Sequence, residues 1–237
     1  MIAKLALGIL GGMGPQATID LQQKILTLTA ASCDLDHLRV FVDNHPQIPD
    51  RIGAVLRNTA SPVPAMQVSL DKLTAMGAAC VAMPCVSAHF FLPQLDFAPG
   101  LLFLNMLHIT AQACFSNYRG QRAGVLCSQA TAESGLLNPY FERYEISYIY
   151  PQKEDQCLLS RLILDVKAGG DISESAFAFG AVAKRLEKNG ADYFVLACTE
   201  LPLLAQHAPL SYPLVDATTE LAKAAIVNCG YELRNSK

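Results

Sequence analysis

The sequence predicts an α/β protein with parallel strands, built on a helix–glycine–strand–cysteine unit that occurs twice. Three observations carry that prediction. Short apolar runs alternate with helical stretches along the 237 residues, the pattern of parallel strands buried on both faces. The stretch from Gly77 to His89, "GAACVAMPCVSAH", has an echo in "GADYFVLACTE", Gly190 to Glu200. Ala78 stands over Ala191, Cys85 over Cys198 and, in the helical stretches just before, Leu73 over Leu186. The opening of each half repeats too, with Gly8 over Gly124 and Leu10 over Leu126.

The bulk composition sets limits on function. With 51% hydrophobic and 16% charged residues the chain can bury a sizeable core, as one large domain or two small ones. A net charge of −3 leaves no basic field, so neither nucleic acid nor an anionic membrane is an expected partner. The eight cysteines form no C-x-x-C pair and no Cys/His cluster at zinc spacing. They sit mostly in apolar runs, as reduced thiols in the cytoplasm do. "MIAKLALGIL" is too short an apolar run for a signal peptide and no cleavage site follows, so it reads as the first strand. Leu101 to Phe115, interrupted by Asn105, His108 and Gln112, is too short to span a bilayer.

Taken in order, Lys4 to Leu10 is a strand. "GGMGPQAT", Gly11 to Thr18, is a glycine-rich turn opening a helix through Ile19, Leu21, Ile25 and Leu28. The turn lacks the Lys-Ser/Thr of a phosphate loop. Its backbone N–H groups at a helix start suit a carboxylate as well as a phosphate, and an ordinary tight turn is an equal reading. Arg39 to Val42 is the second strand. "DNHPQIPDR" after it is a loop fixed by two prolines, with Asp50 and Arg51 at a strand's carboxyl end, where open α/β sheets bind ligands. Arg51 is the candidate for a bidentate carboxylate contact. Pro64 to Met76 is a helix, and the strand after it ends at Cys85. His89 lies one helical turn further on, as a packed or capping residue or as a partner of Cys85. "LLFLNM" is a fourth strand.

In the second half, Arg122 to Thr131 repeats the opening strand and turn. Ser128 and Thr131 supply hydroxyls where the first half has glycines. Glu145 to Tyr150 is a strand, Cys157 to Val166 and Ala176 to Asn189 are helices, and the strand between Gly190 and Cys198 follows. Lys167 is either a cation at a helix C-terminus or a site residue. Thr199 is a candidate N-cap, with Pro202 in the first helical turn. A final helix, Thr219 to Asn228, returns to the first half. The expected domains are residues 1–115 with 214–237, and residues 116–213.

A lone cysteine at a strand end is usually a small buried hydrophobe. Two at equivalent places of a duplicated unit suggest a site with a thiol on each side. Each precedes a helix, whose dipole favours thiolate. Such a pair suits removal of a proton from one face of a carbon and its return on the other, that is, racemisation or epimerisation. No lysine has a recognisable pyridoxal phosphate setting, so the expected chemistry uses no cofactor and no metal.

"GILGGMGPQAT", "PQIPDR", "MPCVSAH" and "ACTEL" together resemble the cofactor-independent aspartate/glutamate racemase family, in the family's order and over nearly the whole chain. The resemblance implies two similar Rossmann-like (flavodoxin-like) α/β domains with parallel sheets, related by a pseudo-two-fold, with the site in their cleft, and Cys85 and Cys198 as the acid/base pair. It implies substrate binding by Gly11, Gly12, Met13, Gly14, Asp50, Arg51, Val86, Ser87, Thr131, Lys167, Thr199 and Glu200. The expected substrate is a small amino acid, acidic in its side chain, and the expected assembly a homodimer. One motif departs from the family: Val86-Ser87 stands where Asn-Thr is usual, removing an amide from the site. A maleate isomerase or hydantoin racemase chemistry, an amino-acid binding protein with little turnover, and a redox thiol pair are the other readings.

Overall fold

The computed structural model describes residues 4–208 and 212–234. Residues 1–3 of the opening segment, Ser211 of the run before the final helix, and residues 235–237 of the expected first domain lie outside the described residues. The elements in order are β1 (Leu7–Gly11), α1 (Pro15–Leu28), a 3₁₀ turn (Asp34–Asp36), β2 (Val40–Asn44), α2 (Arg51–Arg57), α3 (Val63–Ala75), β3 (Cys80–Ala82) and a 3₁₀ helix (Ser87–Gln94). β4 (Leu102–Leu104), α4 (Met106–Asn117), β5 (Ala123–Cys127), α5 (Gln129–Glu133), α6 (Asn138–Arg143), β6 (Tyr148–Ile149) and α7 (Lys153–Lys167) follow. The chain ends with α8 (Ile172–Lys188), β7 (Tyr193–Ala197), α9 (Leu201–Ala205), β8 (Leu214–Asp216) and α10 (Ala217–Asn228).

The strands form two four-stranded parallel sheets of one topology, β2-β1-β3-β4 and β6-β5-β7-β8. Two compact units contain them. One holds the described residues up to Ile109 and those from Thr218 on; the other holds the described residues from Thr110 to Ala217. The chain after α10 is tied into the first unit by backbone bonds from Leu5 N–H to Cys229 O (3.0 Å), Ala30 N–H to Glu232 O (2.9 Å) and Arg234 N–H to Leu28 O (2.7 Å). Leu221, Ala222, Ala225 and Ile226 of α10 are buried.

The repeat in the sequence has a packing cause. β1, β5 and β7 are buried along their whole length, so helices must cover both sheet faces. A Cβ built on Gly8 would lie 3.0 Å from Ala78 Cβ and 3.2 Å from Leu73 Cβ. On Gly124 it would lie 2.8 Å from Ala191 Cβ and 2.9 Å from Leu186 Cδ2. Val81 and Phe194, from the neighbouring strands, come as close, at 3.2 Å and 2.8 Å; the other four side chains are the ones that align in the repeat. α3 and α8 thus lie directly on the first strand of each unit. Both helices end the same way. Gly77 and Gly190 take φ of +93° and +96°, and the next residue's N–H bonds back to Leu73 O or Leu186 O. That is a glycine-terminated helix end.

Some expectations change. The segment after β2 contains helix α2, which the two prolines concealed. The turn after Cys85 is a 3₁₀ helix with Pro93 inside it, not an α-helix. Strand β8 and helix α4 were not read from the sequence. Strand β6 keeps only two residues of the expected six, and Glu145 sits at φ +53° outside it. Ile19, expected on the inner face of α1, is 64% exposed; Ala17, Thr18, Leu21 and Ile25 form that face. Among the described residues no helix is long and apolar enough to cross a membrane.

Gly124→Ala should destabilise the protein. The added methyl meets three heavy atoms below 3.0 Å, and overpacking of that kind costs about 1–3 kcal/mol, more than alanine gains over glycine in chain entropy, about 0.5–1 kcal/mol. Gly8→Ala, with contacts of 3.0–3.2 Å, should cost less. Urea unfolding of both variants measures the difference.

Candidate active site

In each sheet the strand order reverses direction between the first and third strands of the unit. At that switch point the loops leaving two carboxyl ends diverge and leave room for a ligand. The first unit places the Gly11–Gly14 loop and Cys85 there. The second places Ser128–Thr131 and Cys198.

The glycine loop is shaped by its neighbours. Gly12 has φ +87°, and a Cβ there would lie 2.3–2.6 Å from the backbone of His45, so no side chain fits. Thr18 Oγ1 accepts from Gly12 N–H (2.8 Å) and donates to Gly14 O (3.1 Å), closing the loop over the first turn of α1. The Met13–Gly14 peptide is cis. Gly14 is the N-cap of α1 and brings no side-chain acceptor to the helix start.

Arg51 is buried beneath this loop. Its Nη1 donates to Ile48 O (3.0 Å) and Pro49 O (2.9 Å), and its Nη2 to Met13 O (3.2 Å). One guanidinium therefore ties the glycine loop to the loop after β2. Its Nε, also buried, has no hydrogen-bond partner. Nε and Nη2 form one edge of the guanidinium fork, the geometry that takes a carboxylate. Asp50 has a different task. Its carboxylate accepts from Ile52 N–H (3.2 Å) and Gly53 N–H (2.7 Å) as the N-cap of α2, and lies exposed beside Arg57.

Cys85 is buried three residues beyond β3 and packs in the apolar cluster that includes Met13 and Ile48. His89 fixes its backbone. Met106 N–H donates to His89 Nε2 (3.1 Å), which makes that nitrogen the acceptor, so Nδ1 carries the proton and donates to Cys85 O (2.8 Å). Burial pushes the imidazole pKa down to about 4, against the opposing pull of the Cys85 carbonyl. His89 is thus a neutral strut that joins the cysteine turn to the start of α4, and does not touch the thiol. Val86 and Ser87 open the 3₁₀ helix, both buried; Val86 offers no polar group.

The second unit is built differently. Ser128 Oγ caps α5 by accepting from Thr131 N–H (3.3 Å), and the two hydroxyls lie 3.0 Å apart. Cys198 directly follows β7. Its Sγ–H donates to Glu200 Oε2 (3.0 Å), which also accepts from Thr199 Oγ1 (3.3 Å). Lys167 Nζ lies 3.7 Å from Glu200 Oε1, an atom that is buried and has no hydrogen-bond partner. Burial, and then the Glu200 carboxylate, raise the Cys198 thiol well above its ordinary pKa, with Lys167 opposing. This corrects the expected thiolate at a helix start. α9 has five residues, its N-cap is Glu200 without a side-chain cap bond, and Thr199 caps nothing. Lys167 is both the last residue of α7 and a partner of the site.

Two positioning side chains went unread in the sequence. Thr18 sat inside the quoted glycine-rich motif. Gln156 bonds Cys127 O through Nε2 (2.9 Å) and holds the end of β5, while its buried Oε1 has no partner. Its signal was a lone amide on the apolar face of α7, beside Leu159, Leu162 and Ile163. None of the eight cysteines is in a disulfide, and among the described residues no group of three or more His, Cys, Asp or Glu is arranged to hold a metal ion.

Residues 10–225 match the family described as Asp/Glu/Hydantoin racemase. The chain is 24% identical over 233 residues to the broad specificity amino-acid racemase RacX of Bacillus subtilis, covering 93% of this chain and 96% of that one. The Picrophilus torridus aspartate racemase structure is 31% identical with a TM-score of 0.88, covering 98% of this chain and 96% of that chain. Glutamate racemase from Francisella tularensis in complex with D-glutamate shares the fold at 14% identity, with a TM-score of 0.63 over 93% of this chain and 79% of that chain.

His89 should make the fold acid-sensitive. Its pKa falls from 6.5 to about 4 on folding, so the unfolded chain binds the proton first as pH drops. The stability it contributes is complete above pH 6.5 and lost progressively as pH falls towards 4, by about 3 kcal/mol in all. His89→Gln should remove that part of the pH dependence, as read from urea unfolding across the interval.

Proposed function

The chain belongs to the Asp/Glu/Hydantoin racemase family, and from that premise we propose that it is a cofactor-independent racemase of an acidic amino acid, using Cys85 and Cys198 as its two acid/base groups. The observation that carries this reading is the cysteine that follows the third strand in each of two sheets of one topology, Cys198 directly after β7 and Cys85 three residues after β3. One thiolate takes the α-proton from one face of the substrate carbon, and the other thiol gives its proton to the opposite face. The reverse reaction exchanges the roles. Cys198, hydrogen-bonded through its S–H to Glu200, is the proton donor of the resting pair.

An α-proton beside a carboxylate is weakly acidic, so the carbanion needs electrostatic support. The backbone N–H groups of the Gly11–Gly14 turn and the hydroxyl pair of Ser128 and Thr131 suit the α-carboxylate. The buried Nε of Arg51, which has no hydrogen-bond partner, supports a second carboxylate in the substrate, and the Oε1 of Glu200, without a hydrogen bond though 3.7 Å from Lys167 Nζ, supports the ammonium. Val86 favours a second reading, a broader range of side chains, because no amide there selects among them. The proposal extends to the reducing cytoplasm, supported by eight cysteines outside any disulfide, and, from the resemblance, to a homodimer.

Incubation with single L-amino acids in deuterated water, followed by the α-proton signal, tests the reading. Aspartate or glutamate should exchange and racemise. Cys85→Ala and Cys198→Ala should each lower racemisation by at least about a hundredfold, the lower range for a positioned acid or base. Either variant racemising at the parent rate removes that cysteine from the assignment.

Arg51→Leu separates the two readings of the substrate. Loss of one partner of a buried charge pair costs about 2 kcal/mol or more, at least about thirtyfold in kcat/KM. Aspartate should lose that much and alanine far less; equal losses favour the broader range.

A further inference from the structure

The two cysteines are equivalent in the fold but not in their surroundings. Thr199 and Glu200 follow Cys198 where Val86 and Ser87 follow Cys85. The position two beyond the cysteine is a carboxylate in one unit and a hydroxyl in the other. Glu200 is 2% exposed, and its Oε2 lies 3.0 Å from Cys198 Sγ. Resting on the two-cysteine reading, we propose that Glu200 is a positioning residue that assigns the pair's shared proton to Cys198 in the free enzyme, by accepting its S–H hydrogen bond.

The physical argument is one of competing charges. A thiolate on Cys198 would lose that hydrogen bond and stand against a buried carboxylate, and like charges so close disfavour ionisation. The charged groups acting on the thiol are Glu200, from its own turn, and Lys167, from the end of α7. Lys167 moderates the effect, since its ammonium is 3.7 Å from the other carboxylate oxygen. α7, α8 and α9 otherwise bring apolar side chains to the cluster that holds Cys198, among them Leu162, Phe179 and Leu201. Asp216, at the end of β8 opposite Leu196, is the carboxylate of the neighbouring strand.

The consequence is a kinetic asymmetry in a symmetric reaction. Enantiomers have equal free energy, so kcat/KM must be the same in both directions at every pH, in the parent and in any variant. KM and kcat separately need not be. The enantiomer that presents its α-proton to Cys85 meets the populated proton arrangement. Its mirror image needs the rare arrangement, and its apparent affinity falls by the rarity of that form. The parent should therefore have unequal KM values for the two enantiomers, with kcat unequal in the same sense.

The test uses Glu200→Gln, which keeps an acceptor oxygen and removes the charge, with Glu200→Asp as the conservative variant. Cys198 alkylation by iodoacetamide, followed against pH by peptide mass spectrometry, reads the thiol directly. The midpoint should drop by about one to two pH units in Glu200→Gln, and Glu200→Asp should restore it. The basic limb of the kcat/KM profile should move down with it, equally in both directions, while the two KM values converge. Should Glu200→Gln fail to fold, Lys167→Met decides: its Cys198 midpoint must rise. A Cys198 midpoint that ignores both substitutions overturns the proposal. A midpoint that shifts as expected, in a protein that racemises no amino acid, upholds the hydrogen-bond role of Glu200 and overturns the catalytic reading instead.

Discussion

In each unit a helix packs onto a glycine of the first strand, so the strand itself puts no side chain between them. At Gly8 and Gly124 there is room for a hydrogen and nothing larger, because Ala78 with Leu73, and Ala191 with Leu186, occupy the space above. That contact fixes the height of α3 and α8 over their sheets. It also fixes where the next strand begins, since Ala78 and Ala191 are the residues that leave the helix and enter β3 and β7. The cysteines lie past the far ends of those strands, Cys198 directly and Cys85 three residues on. Their placement is therefore set by a packing constraint a full strand length away, and not by any interaction of sulfur.

Around the sulfurs the fold uses buried polar side chains as braces. Thr18, Arg51, His89 and Gln156 each connect a loop at a strand's carboxyl end to a neighbouring segment. A buried donor or acceptor left unmatched costs about 1–3 kcal/mol, so such braces hold their loops to one arrangement. The atoms that break this rule are informative. Arg51 Nε, Gln156 Oε1 and Glu200 Oε1 are buried without a hydrogen bond in side chains whose other polar atoms are engaged, Glu200 Oε1 facing Lys167 Nζ at 3.7 Å. Under the proposed function, Arg51 Nε and Glu200 Oε1 are the two that would meet the substrate.

Much of this was legible in the sequence because duplication leaves a register. Paired offsets located the glycines, the helix ends and the cysteines without any knowledge of three-dimensional contacts. Parallel sheets were expected from alternating apolar and helical runs, although β8, the edge strand of the second sheet, was not read. What escaped was short or disguised. Helix α2 begins right after Pro49-Asp50 and carries Gly53, so its composition reads as loop, although Asp50 caps it. β8 has three residues, too few for a periodicity. The state of Cys198 escaped for another reason. The sequence places a thiol before a helix, but only coordinates reveal that Glu200 folds back on it, and one nearby carboxylate outweighs the partial charge of a five-residue helix.

The order of the chain has a consequence for synthesis. The second unit is complete once its last strand, β8, has been made, whereas the first still lacks α10, with Leu221, Ala222, Ala225 and Ile226 buried in the finished protein. Domains usually form on the ribosome in the order in which they are translated. Here the half that starts first must wait for the half that starts second. Until α10 emerges, the apolar surface it covers stays exposed to the cell's chaperones, while the inserted unit can already have folded beside it.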